Sequence, residues 1–437
     1  MTLLLLTLAA IVLLLVLILG AKLHAFLALV LTSMGLGLAA GMPPAAVLKS
    51  IQSGFGEALG FIAIVLGLGA MIGGYLEHSG GGRALADWIL SKVGREHAAW
   101  AMLFAALLVG LPIFFEVGFI ILVPLVWNLA RESKRSLLFY GLPMAAALTV
   151  THALVPPHPA PAAAAHLLGA DLGHAILYGA ALSVPMAIAG GIFYGGWIAR
   201  RIYIPVPEMA PKLLDLPSPA GAPPVPLVLA LLLLPVALIL AATLAGPGNS
   251  PLQFLGHPFT ALIVTLLAGM IFFGWRRGLR REQLLKLATE SLAPIASLLL
   301  IMGAGGAFKQ IIVDTGVGAY AGKLLADSPI SPLLVGYLVA AAMRAAQGSA
   351  TVAIITAAGI IAPLMKSIPG VHPGMMYLAV CCGGTMLSHV NDAGFWMVNQ
   401  YFGMTVPQTL ASWTAMKIVT SICGIGVLMV VQVFLQP

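Results

Sequence analysis

Apolar runs of about 20 residues follow one another along this chain, parted by short connections that carry most of its lysine and arginine. A run of that length is what a helix rising ~1.5 Å per residue needs to cross a hydrocarbon core of ~30 Å. With 60% of the 437 residues hydrophobic and only 8% charged, one soluble core is excluded and an all-α polytopic membrane protein is expected. The first run, Leu3 to Gly20, has neither a basic leader nor a small-residue cleavage site, and a second follows from Leu23 to Gly41. Both read as retained spans. Cys381, Cys382 and Cys423 lie in apolar surroundings without CxxC spacing, so neither a disulfide framework nor a metal site is expected. The net charge of +7 sits in loops between apolar runs, which makes it a topology signal rather than a nucleic-acid surface.

Basic residues cluster at Arg83, Lys92 and Arg95; at Arg131, Lys134 and Arg135; at Arg200, Arg201 and Lys212; and at Arg276 to Lys286. The positive-inside rule places all four connections in the cytoplasm. The stretch 98–130 must then leave and return, yet it is interrupted at Gly110-Leu111-Pro112 and again by Glu116. Each arm is too short for the full core, which favours a re-entrant hairpin, with two short complete helices as the alternative.

The chain also resembles itself. "LGLGAMIGGYLEHSGGG" (66–82) is similar to "LIMGAGGAFKQIIVDTGVG" (300–318), with Gly80 and Gly316 at an offset of 236 residues. "VPPHPAPAAAAHLLGADLG" (155–173) matches "VNDAGFWMVNQYFGMTV" (390–406) in outline, with Gly169 and Gly403 at an offset of 234. The charge map gives the two copies opposite orientations, an inverted repeat of the kind secondary transporters use. The expected organisation is scaffold helices in 1–50 and a first repeat in 51–199, with a hairpin near 98–130 and a broken helix near 137–169. A cytoplasmic linker in 200–226 and scaffold helices in 227–286 follow. The second repeat, 287–437, has a hairpin near 332–366 and a broken helix near 373–402.

Four interruptions carry nearly all the chemistry: "GLPIFFEVGF" (110–119), "THALVPPHPAP" (151–161), "MRAAQGSATV" (343–352) and "LSHVNDAGFW" (387–396). Gly and Pro free backbone groups that hydrocarbon cannot satisfy, so such breaks survive where they line an enclosed polar cavity. Arg344 is a fixed cation whose planar fork suits a carboxylate, beside Gly348, Ser349 and Thr351. Glu116 and Asp392 are the intramembrane carboxylates that could carry a coupled proton. His152, His158 and His389 could shuttle protons or bond to hydroxyls, or be structural. Asn391, Ser349 and Thr351 can reach hydroxyls or freed backbone. The glycines at 67, 69, 73, 303, 305 and 306 suggest close helix packing, and no strand-then-helix setting or Walker motif accompanies them.

The stretches "GLPMAAALTVTHALVPPHPAPAA" (141–163), "GAGGAFKQIIVDTGV" (303–317), "GSATVAIITAAGI" (348–360) and "SHVNDAGFW" (388–396) resemble the gluconate permease family of bacterial gluconate:proton symporters, almost end to end. The resemblance implies an inner-membrane carrier for sugar acids, with relatives taking gluconate, idonate, fructuronate or D-serine. It implies an elevator-type fold, commonly dimeric, with no cofactor. It maps site positions onto Glu116, Gly118, His152, Pro156, Pro157, His158, Arg344, Gly348, Ser349, Thr351, Ser388, His389, Asn391 and Asp392. One departure is Phe115, where several members carry an aromatic such as Tyr before the Glu. The competing expectations are a same-fold symporter for D-serine or another hydroxy acid, a channel, and a membrane enzyme using His389 and Asp392 as a dyad.

Overall fold

The structure, a computed structural model, describes residues 6, 9–10, 12–14, 16–111, 113–207, 221, 223–245, 250–316, 330–365, 371–389 and 392–435. Among these residues every regular element is a helix. The first half contains α1 (Ala25–Ala39), α2 (Pro44–His78), α3 (Gly81–Val93), α4 (Ala98–Val109), α5 (Phe115–Ser133), α6 (Leu138–Leu154), α7 (Pro159–Leu168) and α8 (Leu172–Ala187). The last of these continues through a π turn, so that the apolar span runs Leu172–Ala199. Then come α9 (Val225–Ala245), α10 (Pro258–Gly269), α11 (Arg281–Leu292), α12 (Ala296–Asp314), α13 (Pro332–Gln347), α14 (Ala350–Met365), α15 (Pro373–Gly384), α16 (Ala393–Tyr401) and α17 (Ala415–Leu435).

Among the described residues six helical segments are long and apolar enough to cross a bilayer: Pro44–His78, Leu138–Leu168, Leu172–Ala199, Val225–Ala242, Pro258–Arg277 and Val406–Phe434. Within Leu138–Leu168, 89% of an 18-residue apolar stretch is buried inside the protein, against 33–44% of the corresponding stretches in the other five. The broken α6–α7 pair therefore forms the centre, and the other spans wrap it with one face outward. That outer face carries bare hydrophobes such as Phe193, Trp275, Val433 and Phe434, as a lipid-facing surface requires.

The four interruptions read from the sequence are four gaps between helices: α4 to α5, α6 to α7, α13 to α14, and α15 to α16. Gly348 ends α13 in the left-handed conformation, φ 78°, where a Cβ would clash with the backbone. Helices α7 and α16 begin 234 residues apart, as do α4 and α13. Gly80 and Gly316 both adopt φ 72°, and Gly169 and Gly403 adopt 75° and 63°. Packing recurs as well: α4 lies on α6 and α13 on α15, while α5 meets α16 and α14 meets α7.

Some boundaries differ from the sequence expectation. The junction at 50/51 falls inside α2, the one at 226/227 inside α9, and the one at 286/287 inside α11. No Gly or Pro interrupts the helix at 50/51 or 286/287, Pro226 sits in the first turn of α9, where proline is tolerated, and Lys286 is a helical surface residue facing Glu290 at 3.8 Å rather than part of a loop. Most of the expected linker, 208–220 and 222, lies outside the described residues. The glycine reading applies to α2 and α12, which cross so closely that a Cβ on Gly54 would come within 2.5 Å of the Gly306 carbonyl oxygen.

Candidate functional site

The centre of the site is an ion pair between two interruptions. Arg344, in the last turn of α13, is 2% exposed, and its Nη2 donates to Asp392, the N-cap of α16. Its Nη1 donates to the Gly348 carbonyl at the end of the same helix, and its Nε is buried without a partner. Asp392 also accepts from the Ser388 hydroxyl and, through Oδ1, from the Gly394 amide at 3.1 Å. Trp413 Nε1 donates to Ser388 Oγ at 2.7 Å, and Thr414 donates to the Ser388 carbonyl. A buried pair tied down on all these sides has the extra hydrogen bonds that desolvated charges require.

Around this pair lies a cavity of about 320 Å³. Of the positions expected from the sequence, Glu116, His152, Arg344, Gly348, Ser349, Thr351 and Asp392 line it. Phe115, Thr149, Trp413 and Lys417 join them, and these four were not singled out as ligands. Residues of the first turns of α5 (Phe115, Glu116), α14 (Ala350, Thr351) and α16 (Ala393, Gly394) all face the same space. Three helix N-termini thus bring partial positive charge and amide donors to one cavity, the standard physical recipe for holding an anion. Ser349 caps α14, its Oγ accepting from the Val352 amide at 3.3 Å.

Other expected positions stand outside the cavity. Gly118 donates its amide to the Phe114 carbonyl at 2.9 Å, inside α5, and its Cα faces Leu148 of α6. It therefore serves close packing, and its amide is not available to a ligand. His158 is bound through Nε2 to the Gly110 carbonyl at 2.5 Å, which ties the α6–α7 gap to the α4–α5 gap. His389 Nε2 bonds to the Ala345 carbonyl at 3.0 Å and ties the other two gaps together. Pro156 and Pro157, joined by a cis peptide, pack near Gly69 of α2, and Ser388 is fully buried behind Asp392. Asn391 lies outside the described residues. His152 stands apart from these: its ring lies 4.8 Å from that of His158, and its Nδ1 is buried with no partner.

A second cavity, of about 410 Å³, lies between α2, the α4–α5 gap and α11, lined by Glu77, His78, Phe114 and Glu290 among others. It gathers no buried cation, and the ion pair and three helix N-termini belong to the first. Among the described residues no cluster of three or more His, Cys, Asp or Glu side chains could hold a metal ion.

A family model described as GntP family permease matches residues 1–434. The gluconate permease of Pseudomonas aeruginosa is 43% identical over 97% of this chain and 96% of its own length. The high-affinity gluconate transporter of Escherichia coli is 40% identical over 95% and 96%, and the Gnt-II system L-idonate transporter of the same organism 39% identical over 96% and 97%. Among solved structures, the Alcanivorax borkumensis YdaH transporter matches with a TM-score of 0.68 at 17% identity, over 94% of this chain and 98% of that one. Neisseria gonorrhoeae MtrF, described as one of a class of antimetabolite efflux pumps, gives 0.67 at 16%, over 88% and 83%. At these identities the two structures speak to fold alone.

Proposed function

The chain belongs to the GntP permease family, and from that membership we propose that it imports gluconate or a closely related sugar acid with protons across the bacterial inner membrane. It is a multi-pass membrane permease, not an enzyme. The observation that carries the substrate class is the convergence of three helix N-termini and two buried cations on one cavity. That arrangement fits a small anion, and the hydroxyls of Thr149, Ser349 and Thr351 on its wall fit a polyhydroxylated one. Arg344 holds the positive pole and, through Asp392 and Gly348, the shape of the two breaks. Pro157, His158, Ser388 and His389 support those breaks from behind. Glu116 and Asp392 are the acids through which a proton could enter the cycle.

The transport cycle we propose is that of an elevator built from two inverted repeats. Three features support the repeats: matching offsets of helix starts, the paired left-handed glycines, and packing that exchanges partners between the halves. The arms α4 and α13, with 12 and 16 residues, reach only ~18 and ~24 Å, short of a ~30 Å core, which favours re-entrant hairpins. A homodimer belongs to the same proposal through the family resemblance, and the mass of the detergent-solubilised protein tests it.

The deciding experiment is uptake of labelled gluconate by proteoliposomes under an inward proton gradient, sodium absent, with L-idonate and D-serine as competitors. Accumulation that gluconate competes for and protonophore abolishes supports the proposal. Equilibration without counterflow would make the protein a channel, and accumulation only with sodium would replace the proton.

A further inference from the structure

Lys417 is the only charged residue in the span Val406–Phe434. It is 3% exposed and lines the cavity, with Nζ 5.7 Å from the centre of the Trp413 ring. Among the described residues it has neither a hydrogen-bond partner nor an ion-pair partner. A lone ammonium enclosed this deeply is costly unless an anion comes to it. Asp392, whose charge acts on it, is already committed to Arg344, Ser388 and the Gly394 amide. What remains for Lys417 is the contents of the cavity.

The charge count then closes. Among the described residues four ionic side chains face the cavity: Arg344 on α13, Asp392 at the start of α16, Glu116 on α5 and Lys417 on α17; His152 on α6 is the remaining titratable group. With His152 neutral, two cations and two carboxylates leave the empty site uncharged. A monoanionic ligand adds one negative charge, and one proton restores neutrality. Protonating Asp392 would break the Arg344 pair and leave a buried guanidinium uncompensated. Glu116 has no ion-pair partner among the described residues and sits at the cavity edge, so it takes the proton without dismantling anything.

We propose that Lys417 is the cation that binds the substrate carboxylate and Glu116 the acid that carries one proton per substrate, so that the site is electrically neutral both loaded and empty. The proposal rests on the reading of the chain as a proton-coupled sugar-acid carrier and adds its stoichiometry and its groups. The Glu116 carboxylate takes a proton from the outer aqueous phase as substrate binds and returns it to the cytoplasm as substrate leaves. Either neutral form crosses the barrier, whereas the substrate-loaded, unprotonated form carries a buried net charge and does not.

The test uses purified full-length protein in proteoliposomes, read in three ways: gluconate accumulation under a proton gradient, gluconate/gluconate exchange at equal pH, and the response to a valinomycin-imposed potassium diffusion potential. The parent protein is expected to accumulate gluconate under the pH gradient and to change its initial rate by less than about twofold when the potential is imposed. Glu116→Gln, which mimics the protonated acid, should keep exchange but lose gradient-driven accumulation by more than about tenfold. Lys417→Met should lose exchange and accumulation together by more than about tenfold, and Lys417→Arg should recover exchange, which separates lost charge from a misfolded chain. Exchange by Lys417→Met at the parent's rate, continued accumulation by Glu116→Gln, or uptake driven by the potential alone would each overturn the proposal. A parent protein that accumulates no gluconate under the gradient would instead overturn the function on which it rests.

Discussion

Asp392 accepts from a guanidinium, a hydroxyl and a backbone amide at once, joining α13 to α16, and through Ser388, which Trp413 also bonds, it is linked to the turn that precedes α17. Only a planar fork reaches both Asp392 and the Gly348 carbonyl from Arg344, because a lysine has one nitrogen to place. Arg344→Lys should therefore cut gluconate uptake by more than about tenfold, and normal uptake kinetics would refute the bidentate role. Asp392→Asn leaves a guanidinium that is 2% exposed without its counter-charge, at a cost of about 3–5 kcal/mol for breaking a buried pair. The purified variant should melt at a clearly lower temperature in detergent. Residues such as Arg344, Glu116 and Asp392 were legible in the sequence because each sits beside a Gly or Pro that interrupts an apolar run. Lys417 and Thr149 escaped because both lie within unbroken helical stretches, where no break draws attention to them. The one available signal was a single charge in the whole span Val406–Phe434.

At the scale of elements, the contact between α2 and α12 depends on what its glycines lack. A Cβ on Gly306 would approach the Gly54 carbonyl oxygen to 2.4 Å, and one on Gly303 would enter the Phe55 ring. Gly306→Leu should push the helices apart and cost about 1–3 kcal/mol or more through overpacking, seen as a lower melting temperature with the helical circular dichroism unchanged below it. Gly348→Ala works differently: at φ 78° a Cβ costs about 1–2 kcal/mol, and the strain falls on the carbonyl that Arg344 holds. Uptake should fall more than stability does, which paired uptake and melting measurements would show. The breaks themselves were readable, since Gly and Pro end helices for local reasons. The expected divisions at 50/51, 226/227 and 286/287 rest on charge clusters and changes of hydropathy, which mark where a chain meets water, and each falls inside a helix that continues past that point.

At the scale of the whole molecule, the polytopic helical fold follows from composition and run length, and the match to two transporter structures agrees with it. What neither composition nor periodicity could supply is which helix occupies the middle. The central span Leu138–Leu168 has the lowest mean hydropathy of the six, 1.5, because protein rather than lipid surrounds it. Expressing residues 1–207 and 221–437 as separate chains in one cell should restore gluconate uptake if the two halves pack as described, while 1–207 alone should be degraded, as immunoblotting of membranes would report.

That same enclosure has a consequence for biogenesis. The ribosome completes Leu138–Leu168, with its Thr149, Thr151, His152 and His158, long before it makes α14 and α15, which pack against α7. During that interval α2, α4 and α5 already lie against this span, but the face that α14 and α15 will cover has only lipid, the translocon or an insertion chaperone against it. Assembly of this protein must therefore end with the late helices closing over an early one, and the interval before they do is when the nascent chain is most exposed to membrane proteases.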